Sequence, residues 1–171
     1  PELQGVMGRE YARHDGEDPR VALALYEQYL PRFASDSLPT DDVGAILGLA
    51  ERIHIVVSCH KVGLEPTGSQ DPYGLRRAAR CINEILWGRS LDLDLEEAVR
   101  ESALLNQVEP DVLERILAFI GQRLLVQLKE KGYEHELAAL ALSVIGRRPC
   151  QALRLMEALN EVKDEPWFSD L

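Results

Sequence analysis

The chain has 171 residues, of which 46% are hydrophobic and 28% are charged, and its formal net charge is −10. The hydrophobic share is large enough for a packed core and excludes a disordered chain. The negative charge excludes RNA binding by bulk attraction, so any RNA contact requires a local basic cluster. Without a signal-peptide pattern or an apolar run of roughly 20 residues, we expect a soluble, cytoplasmic protein.

The first third of the chain is predicted to form three helices. Apolar residues recur there at intervals of three and four, and Gly, Pro and Asp residues separate the periodic segments. The third segment has a broad apolar face, which is typical of a central helix. These helices are predicted from about Leu3 to Asp15, from Pro19 to Pro31, and from Thr40, as N-cap, to about Gly63.

A fourth helix follows a turn-forming segment. Residues 66–80 read Pro-Thr-Gly-Ser-Gln-Asp-Pro-Tyr-Gly-Leu-Arg-Arg-Ala-Ala-Arg. Asp71 can cap a helix with its carboxylate, and Pro72 suits the first helical position, where no backbone N–H is needed. The pattern therefore predicts a helix from Pro72 to about Trp87, with Gly88 after its end.

The first turns of this fourth helix carry Arg76, Arg77 and Arg80. The positive end of the helix dipole disfavours cations there, so their position invites a functional explanation. One interpretation is a solvated face on which Glu84 pairs with Arg80. The other is contact with phosphate groups, which arginine forks match well, and Lys61 is a further candidate for this contact.

The second half of the chain is also predicted to be helical. Residues 91–95 alternate like a strand, but their Asp residues precede an acidic helix start, which indicates a linker and a short helix. The predicted fold class is therefore all-α, with about eight helices. The predicted units are 1–90, an acidic linker with a short helix at 91–108, and 109–171, which holds helices to about Lys131, at 135–146 and at 149–163.

Cysteine usage and loop patterns give no sign of a cofactor. Cys59, Cys81 and Cys150 are odd in number and widely spaced, which favours buried reduced thiols over disulfides or a zinc site. The Pro-Thr-Gly-Ser sequence lacks the Lys and the spacing of a P-loop, so we expect no ATP binding. Because the chain begins with Pro1, we expect it to be a piece of a longer protein.

Two long motifs carry a resemblance to a known family. Residues 1–17 read Pro-Glu-Leu-Gln-Gly-Val-Met-Gly-Arg-Glu-Tyr-Ala-Arg-His-Asp-Gly-Glu, and they precede the 66–80 segment in the same order as in that family. Residues 27–33 and Leu38-Pro39 extend the similarity, which continues to about residue 88. On these residues the chain resembles the beta subunit of bacterial glycyl-tRNA synthetase.

The resemblance implies a helical domain similar to the HD phosphohydrolases, followed by a helical connecting region. It also implies a beta subunit that joins a separate catalytic alpha subunit, the two using ATP to attach glycine to its tRNA. This piece would not perform that reaction and would need no cofactor of its own. The implied partners are glycine tRNA, the alpha subunit and the other domains of the beta subunit, with no membrane.

The resemblance also locates a remnant of the HD metal site at His14, Asp15 and Glu51. A catalytic divalent metal needs three or more converging protein ligands. Of the family's Ala-Asp-Lys-x-Asp pattern, however, only the Ala is retained, as Ala50; Glu51-Arg52-Ile53-His54 replaces the rest, and Arg52 would oppose a cation. We therefore expect a degenerate site that holds no metal, with no catalytic residue in this chain.

Three functions remain open from the sequence. The leading hypothesis is a tRNA-contacting module in which Arg76, Arg77, Arg80 and Lys61 bind the RNA backbone. An HD-type phosphohydrolase would need a complete metal-ligand set. A purely structural spacer would use its apolar faces to hold other domains, and it would bind neither RNA nor metal.

Overall fold

A computed structural model of the chain describes residues 3–163, and the regular structure in that range is entirely α-helical. The predicted all-α class is confirmed, as are eight helices within these residues. Residues 1–2 of the first motif and 164–171 of the predicted third unit lie outside the described range. The helices are α1 (Gln4–His14), α2 (Pro19–Glu27), α3 (Asp42–Lys61), α4 (Leu75–Arg89), α5 (Leu95–Leu105), α6 (Pro110–Glu130), α7 (His135–Ile145) and α8 (Pro149–Val162).

A buried carboxylate joins α2 to α3. The N-cap of α3 is Asp41, whose side chain accepts a hydrogen bond from the Val43 N–H (2.9 Å), so the predicted N-cap Thr40 is wrong by one residue. Thr40 instead donates through its backbone N (2.8 Å) and its Oγ1 (2.6 Å) to Glu27. Glu27 also accepts from the Asp41 N–H at 3.0 Å. These three bonds compensate for burying a charge at the end of α2.

Arg52 is buried on α3 and holds the chain segment that follows α2. Its guanidinium donates to the carbonyl oxygens of Gly48 and of all four residues 28–31, at 2.8–3.2 Å. After Glu27 the N–H groups of Tyr29 and Leu30 donate to carbonyls three residues earlier instead of four, so α2 ends at Glu27 and not at Pro31 as predicted. Gly48 allows the approach of Arg52, since a Cβ there would lie 2.8 Å from Arg52 Nη1.

The start of α4 differs from the prediction by three residues. Asp71 does cap this helix, but its carboxylate accepts from the backbone N–H groups of Leu75 (2.8 Å) and Arg76 (2.9 Å). Pro72 therefore lies in a turn before the helix. Gly74 completes that turn with a φ of +65°, a left-handed conformation that glycine adopts at little cost.

Two hydrophobic clusters form the core of the described residues. The larger one joins α3, α4, α5 and α6 with Cys150 of α8, and the smaller one joins α6, α7 and α8. Trp87 packs against both clusters. The division at 91–108 stays a prediction, and the short helix predicted there, α5, packs into the larger cluster through Leu95, Val99 and Ala103.

Helix α3 is the most apolar long helix among the described residues. It has 20 residues, and a window of 18 of them has a mean hydropathy of 1.3, so its length and composition alone would allow a membrane span. The expectation that no run approaches this length is therefore wrong for α3. Half of that window is buried by neighbouring elements, which is typical of the core helix in a globular fold.

Candidate nucleic-acid interface

A basic cavity of about 180 Å³ lies between α4 and α6, with room for several water molecules. Arg76, Arg77 and Arg80, which the sequence singles out, all line it, and α6 adds Arg123. Four guanidinium groups therefore share the cavity with one carboxylate, that of Glu130. This excess of positive charge favours an anionic ligand. The other two lining residues are Val126 and Gln127.

The guanidinium groups of Arg76 and Arg77 form no ion pair with a carboxylate of the described residues. Arg76 donates to the carbonyl oxygens of Gly68 (2.8 Å) and Gln70 (3.3 Å), which are neutral acceptors in the turn before α4. Arg77 is exposed and lies against Gly74, and it forms no hydrogen bond or ion pair with residues 3–163. Arg76 is thus positioned by the turn, while Arg77 is free to contact a ligand.

Among residues 3–163, Arg80 is the one arginine of the cavity that forms ion pairs with carboxylates. Its Nε lies 2.9 Å from Glu84 Oε1, as the spacing on the helix predicts, and its Nη1 lies 2.6 Å from Glu130 Oε2. Burial acts to lower the pKa of Arg80, but its hydrogen bonds to Glu130 and Glu84 raise it overall. The Arg80–Glu84 pair of the first interpretation is therefore present, and Arg80 also lines the cavity.

Arg123 belongs to the cavity although the sequence reasoning missed it. It lies alone between Gln122 and Leu124 in an apolar helix, without a basic neighbour to draw attention. Its Nε is buried and has no hydrogen-bond partner among the described residues. Spacing offered a signal, because Arg123, Gln127 and Glu130 are four and three residues apart and form one polar stripe on α6.

A buried amide pair sets the spacing of the two helices at the cavity. Asn83 Nδ2 of α4 donates to Gln127 Oε1 of α6 at 2.6 Å, and Gln127 Nε2 donates to the Arg80 carbonyl oxygen at 3.2 Å. Both side chains are buried. These bonds join α4 to α6 beside the cavity, which Gln127 also lines, although the buried Asn83 Oδ1 has no partner among the described residues.

Lys61 is not brought to this cavity. It lies at the end of α3, and its Nζ donates to the Asn106 carbonyl oxygen at 2.6 Å. The four candidate RNA contacts therefore divide into three that share a cavity and one that lies elsewhere. A role for Lys61 in RNA binding stays a prediction.

The predicted HD remnant does not form a metal-binding group in the described residues. His14 and Asp15 are exposed at the end of α1, and Glu51 is exposed on α3. Among residues 3–163, no three His, Cys, Asp or Glu side chains converge as metal ligands would. His54 and His60 point apart, since His60 is buried against Phe119 and His54 is exposed. The HD likeness itself stays a prediction.

The three cysteines form no disulfide; Cys81 and Cys150 are buried as predicted, whereas Cys59 is half-buried. Burial raises the pKa of Cys59, Cys81 and Cys150 above the ordinary thiol value. The thiolate is the nucleophile, so a raised pKa lowers reactivity at neutral pH. Cys81 and Cys150 donate to backbone carbonyl oxygens of the core instead.

An apolar groove lies apart from the basic cavity. It has a volume of about 760 Å³ and is formed by α3, α5 and the segment before α5. Ile46 and Leu105, which line it, are 60% and 83% exposed. A continuous apolar surface with exposed side chains is typical of a site that another protein segment covers.

These features define an all-helical protein with a basic cavity between α4 and α6 and, in the described residues, no cluster of side chains that could hold a metal ion. The family model described as glycyl-tRNA synthetase beta subunit matches residues 1–143. The chain belongs to the glycyl-tRNA synthetase beta subunit family.

Individual relatives agree with this assignment. The chain is 41% identical over 150 residues to the glycine–tRNA ligase beta subunit of Shouchella clausii, an alignment that covers 84% of the chain and 22% of the relative. It is 38% identical to the same subunit of Syntrophomonas wolfei, covering 99% of the chain and 26% of the relative. It is also 38% identical to the same subunit of Bacillus subtilis, covering 99% of the chain and 24% of the relative. The chain spans about a quarter of the length of these relatives.

Proposed function

We propose that this chain is a tRNA-contacting, non-catalytic part of a glycine–tRNA ligase beta subunit. The observation that carries the proposal is the cavity in which Arg76, Arg77 and Arg80 meet Arg123. Its role is to bind and position glycine tRNA by its phosphate backbone. The complete enzyme, which uses ATP and a separate alpha subunit, performs the ligation in the cytoplasm.

The chemistry of the cavity suits the phosphate groups of RNA. Arginine donates two parallel hydrogen bonds to phosphate oxygens, and such charge-assisted bonds are stronger than neutral ones. The remainder of the chain is acidic, so RNA is repelled except where the arginines concentrate positive charge. This contrast would orient the RNA on the surface as well as bind it.

A structural spacer is the second candidate, and the apolar groove on α3 and α5 favours it. Such a spacer would dock other parts of the subunit through Ile46 and Leu105 and would use its arginines only for ion pairs. The pairing of Arg80 with Glu84 and Glu130 agrees with that role. The two candidates differ in whether the chain alone binds RNA.

Binding of a glycine tRNA transcript over a salt series tests the proposal. The variant R76Q/R77Q/R80Q removes three charges at the cavity, and R13Q/R100Q/R154Q removes three charges from exposed positions elsewhere. Glutamine is preferred to glutamate because it adds no repulsion beside Glu84 and Glu130.

We expect the cavity variant to lose most of its affinity and the control variant to retain it. The slope of log K against log salt should fall by roughly 0.7–0.9 for each phosphate contact removed. Equal losses in the two variants would overturn the proposal, because they would indicate a bulk charge effect. Failure of the unaltered chain to bind at low salt would favour the spacer.

A further inference from the structure

One residue of the basic cavity has the wrong charge for an anion site. Glu130 lines the cavity, and its carboxylate lies 2.6 Å from Arg80 Nη1. This contact crosses from α6 to α4, whereas Glu84 reaches Arg80 Nε from the next turn of the same helix. Arg80 therefore has one local carboxylate partner and one that belongs to the opposite wall.

The ion pair between Arg80 and Glu130 can be replaced at low cost by a contact between Arg80 and a ligand. Glu130 is the last residue of α6, and its side chain is 49% exposed, against 21% for Glu84. Ion pairs with this exposure contribute little to stability. A rotation about the side-chain torsions of Glu130 would free the Arg80 Nη1 group without moving either helix.

Arg123 is the complementary part of the same wall. It precedes Glu130 by seven residues, so both side chains project from nearly the same face of α6. Its buried Nε has no partner among residues 3–163. Leaving a buried charged donor without an acceptor is costly, and a ligand oxygen would remove that cost.

We infer that this cavity is a pocket for one RNA phosphodiester group, and that the Glu130 carboxylate competes with this group for Arg80. The inference rests on the proposed function. The Glu130 carboxylate occupies Arg80 in the free protein, and the phosphate displaces it. Arg123 then donates to the phosphate from α6, while Arg76, Arg77 and Arg80 donate from α4. Since the two helices are held together by Asn83 and Gln127, the pocket is formed before the ligand arrives.

The roles of Glu130 and Arg123 predict opposite effects of two similar substitutions. E130Q removes the competing carboxylate and is expected to raise affinity for a glycine tRNA transcript by at least about threefold at low salt. R123Q removes one contact and is expected to lower affinity by about tenfold, with a salt slope smaller by roughly 0.7–0.9.

Matched controls separate the pocket from net charge. E161Q and R154Q make the same charge changes at exposed positions of α8 and are expected to change affinity by less than about twofold. If E161Q raised affinity as much as E130Q, the inference that Glu130 competes with the phosphate for Arg80 would be overturned. If circular dichroism shows that R123Q is misfolded, R123K replaces it as the test, because lysine keeps the charge but cannot donate the two parallel hydrogen bonds of arginine. E130Q tests the pocket independently.

The source of the phosphate is tested by competition. Inorganic phosphate and chloride are compared as competitors of the transcript at equal ionic strength. Equal competition is expected for a pocket that needs the RNA chain around its phosphodiester. Preferential displacement by inorganic phosphate, with a loss of this preference in R123Q, would overturn the RNA assignment in favour of a free phosphate.

The pocket and the proposed function fail in different ways. If R76Q/R77Q/R80Q loses RNA binding while E130Q and R123Q behave like their controls, the tRNA-contacting function stands and the pocket is overturned. If the unaltered chain binds no RNA at low salt, the proposed function is overturned, and the pocket with it.

Discussion

Arg52 in α3 and the arginines between α4 and α6 are the same chemical group in two different settings. Arg52 is 7% exposed, and carbonyl oxygens surround its terminal nitrogens. In the basic cavity, Arg77 is exposed without a partner among the described residues, and Arg123 has a buried Nε without one. A satisfied arginine stabilises the fold, whereas unsatisfied ones close together indicate a ligand.

The comparison predicts its largest effect at Arg52. R52L is expected to reduce the free energy of unfolding by about 3 kcal/mol, because the carbonyl groups after α2 lose their donor inside the protein. Urea denaturation followed by circular dichroism measures this loss. The matched substitution R115L, at an exposed position that pairs with Glu65 and Asp111, should cost less than about 1 kcal/mol. Similar losses in both variants would contradict the comparison.

The contrast also explains how far the sequence could predict the structure. Periodicity and cap residues predict eight helices because those signals are local to each helix. The predicted end of α2 and the predicted start of α4 were wrong because the contacts at these two ends leave no mark on the apolar periodicity. The N–H groups of Tyr29 and Leu30 donate three residues back instead of four, and the Asp71 carboxylate reaches past Gly74 to Leu75.

The sequence predicted only those residues of the candidate site that lie on one helix, α4. Arg76, Arg77 and Arg80 are neighbours in sequence, and the structure places all three at one cavity. Arg123 comes from another helix about 40 residues later, and Lys61 points to a different part of the surface. Contacts of this kind depend on how helices pack, which a single sequence does not reveal.

The buried amide pair tests whether the two helices at the cavity must be held in register. Q127L leaves Asn83 Nδ2 without its acceptor and should reduce the free energy of unfolding by about 1–2 kcal/mol. It should also weaken binding of the glycine tRNA transcript, since the arginines lose their fixed spacing. Unchanged RNA affinity in a destabilised but folded variant would mean that the register of the helices does not matter for binding.

A smaller effect on stability is expected at Asp36, whose carboxylate, like the Arg52 guanidinium, has hydrogen-bond partners within the protein. The hydrogen bond from Arg32 is the main cause that lowers the pKa of Asp36, and the backbone N–H groups of Arg32 and Ser37 add to it. A lowered pKa means that the charged form stabilises the fold above the unfolded pKa near 4 and that this contribution is lost as pH falls.

The variant D36N is therefore expected to lower the free energy of unfolding by about 1 kcal/mol at neutral pH, because Arg32 is half exposed and screened by solvent. The difference from the unaltered chain should shrink below about pH 4. Urea denaturation at a series of pH values measures it. A difference that grew as pH fell would contradict the assigned cause.

The smallest effect on stability is expected at Arg77, and it is the most informative for function. R77Q removes an exposed side chain without a partner among residues 3–163, so the free energy of unfolding should change by less than about 0.5 kcal/mol. If the cavity binds RNA, the same variant should weaken binding severalfold and reduce the salt slope, because a phosphate contact is lost. R154Q, equally exposed but on α8, should change neither quantity. A structural role for the arginine helix would leave RNA binding unchanged in R77Q, so this variant separates an arginine kept for the fold from one kept for a ligand.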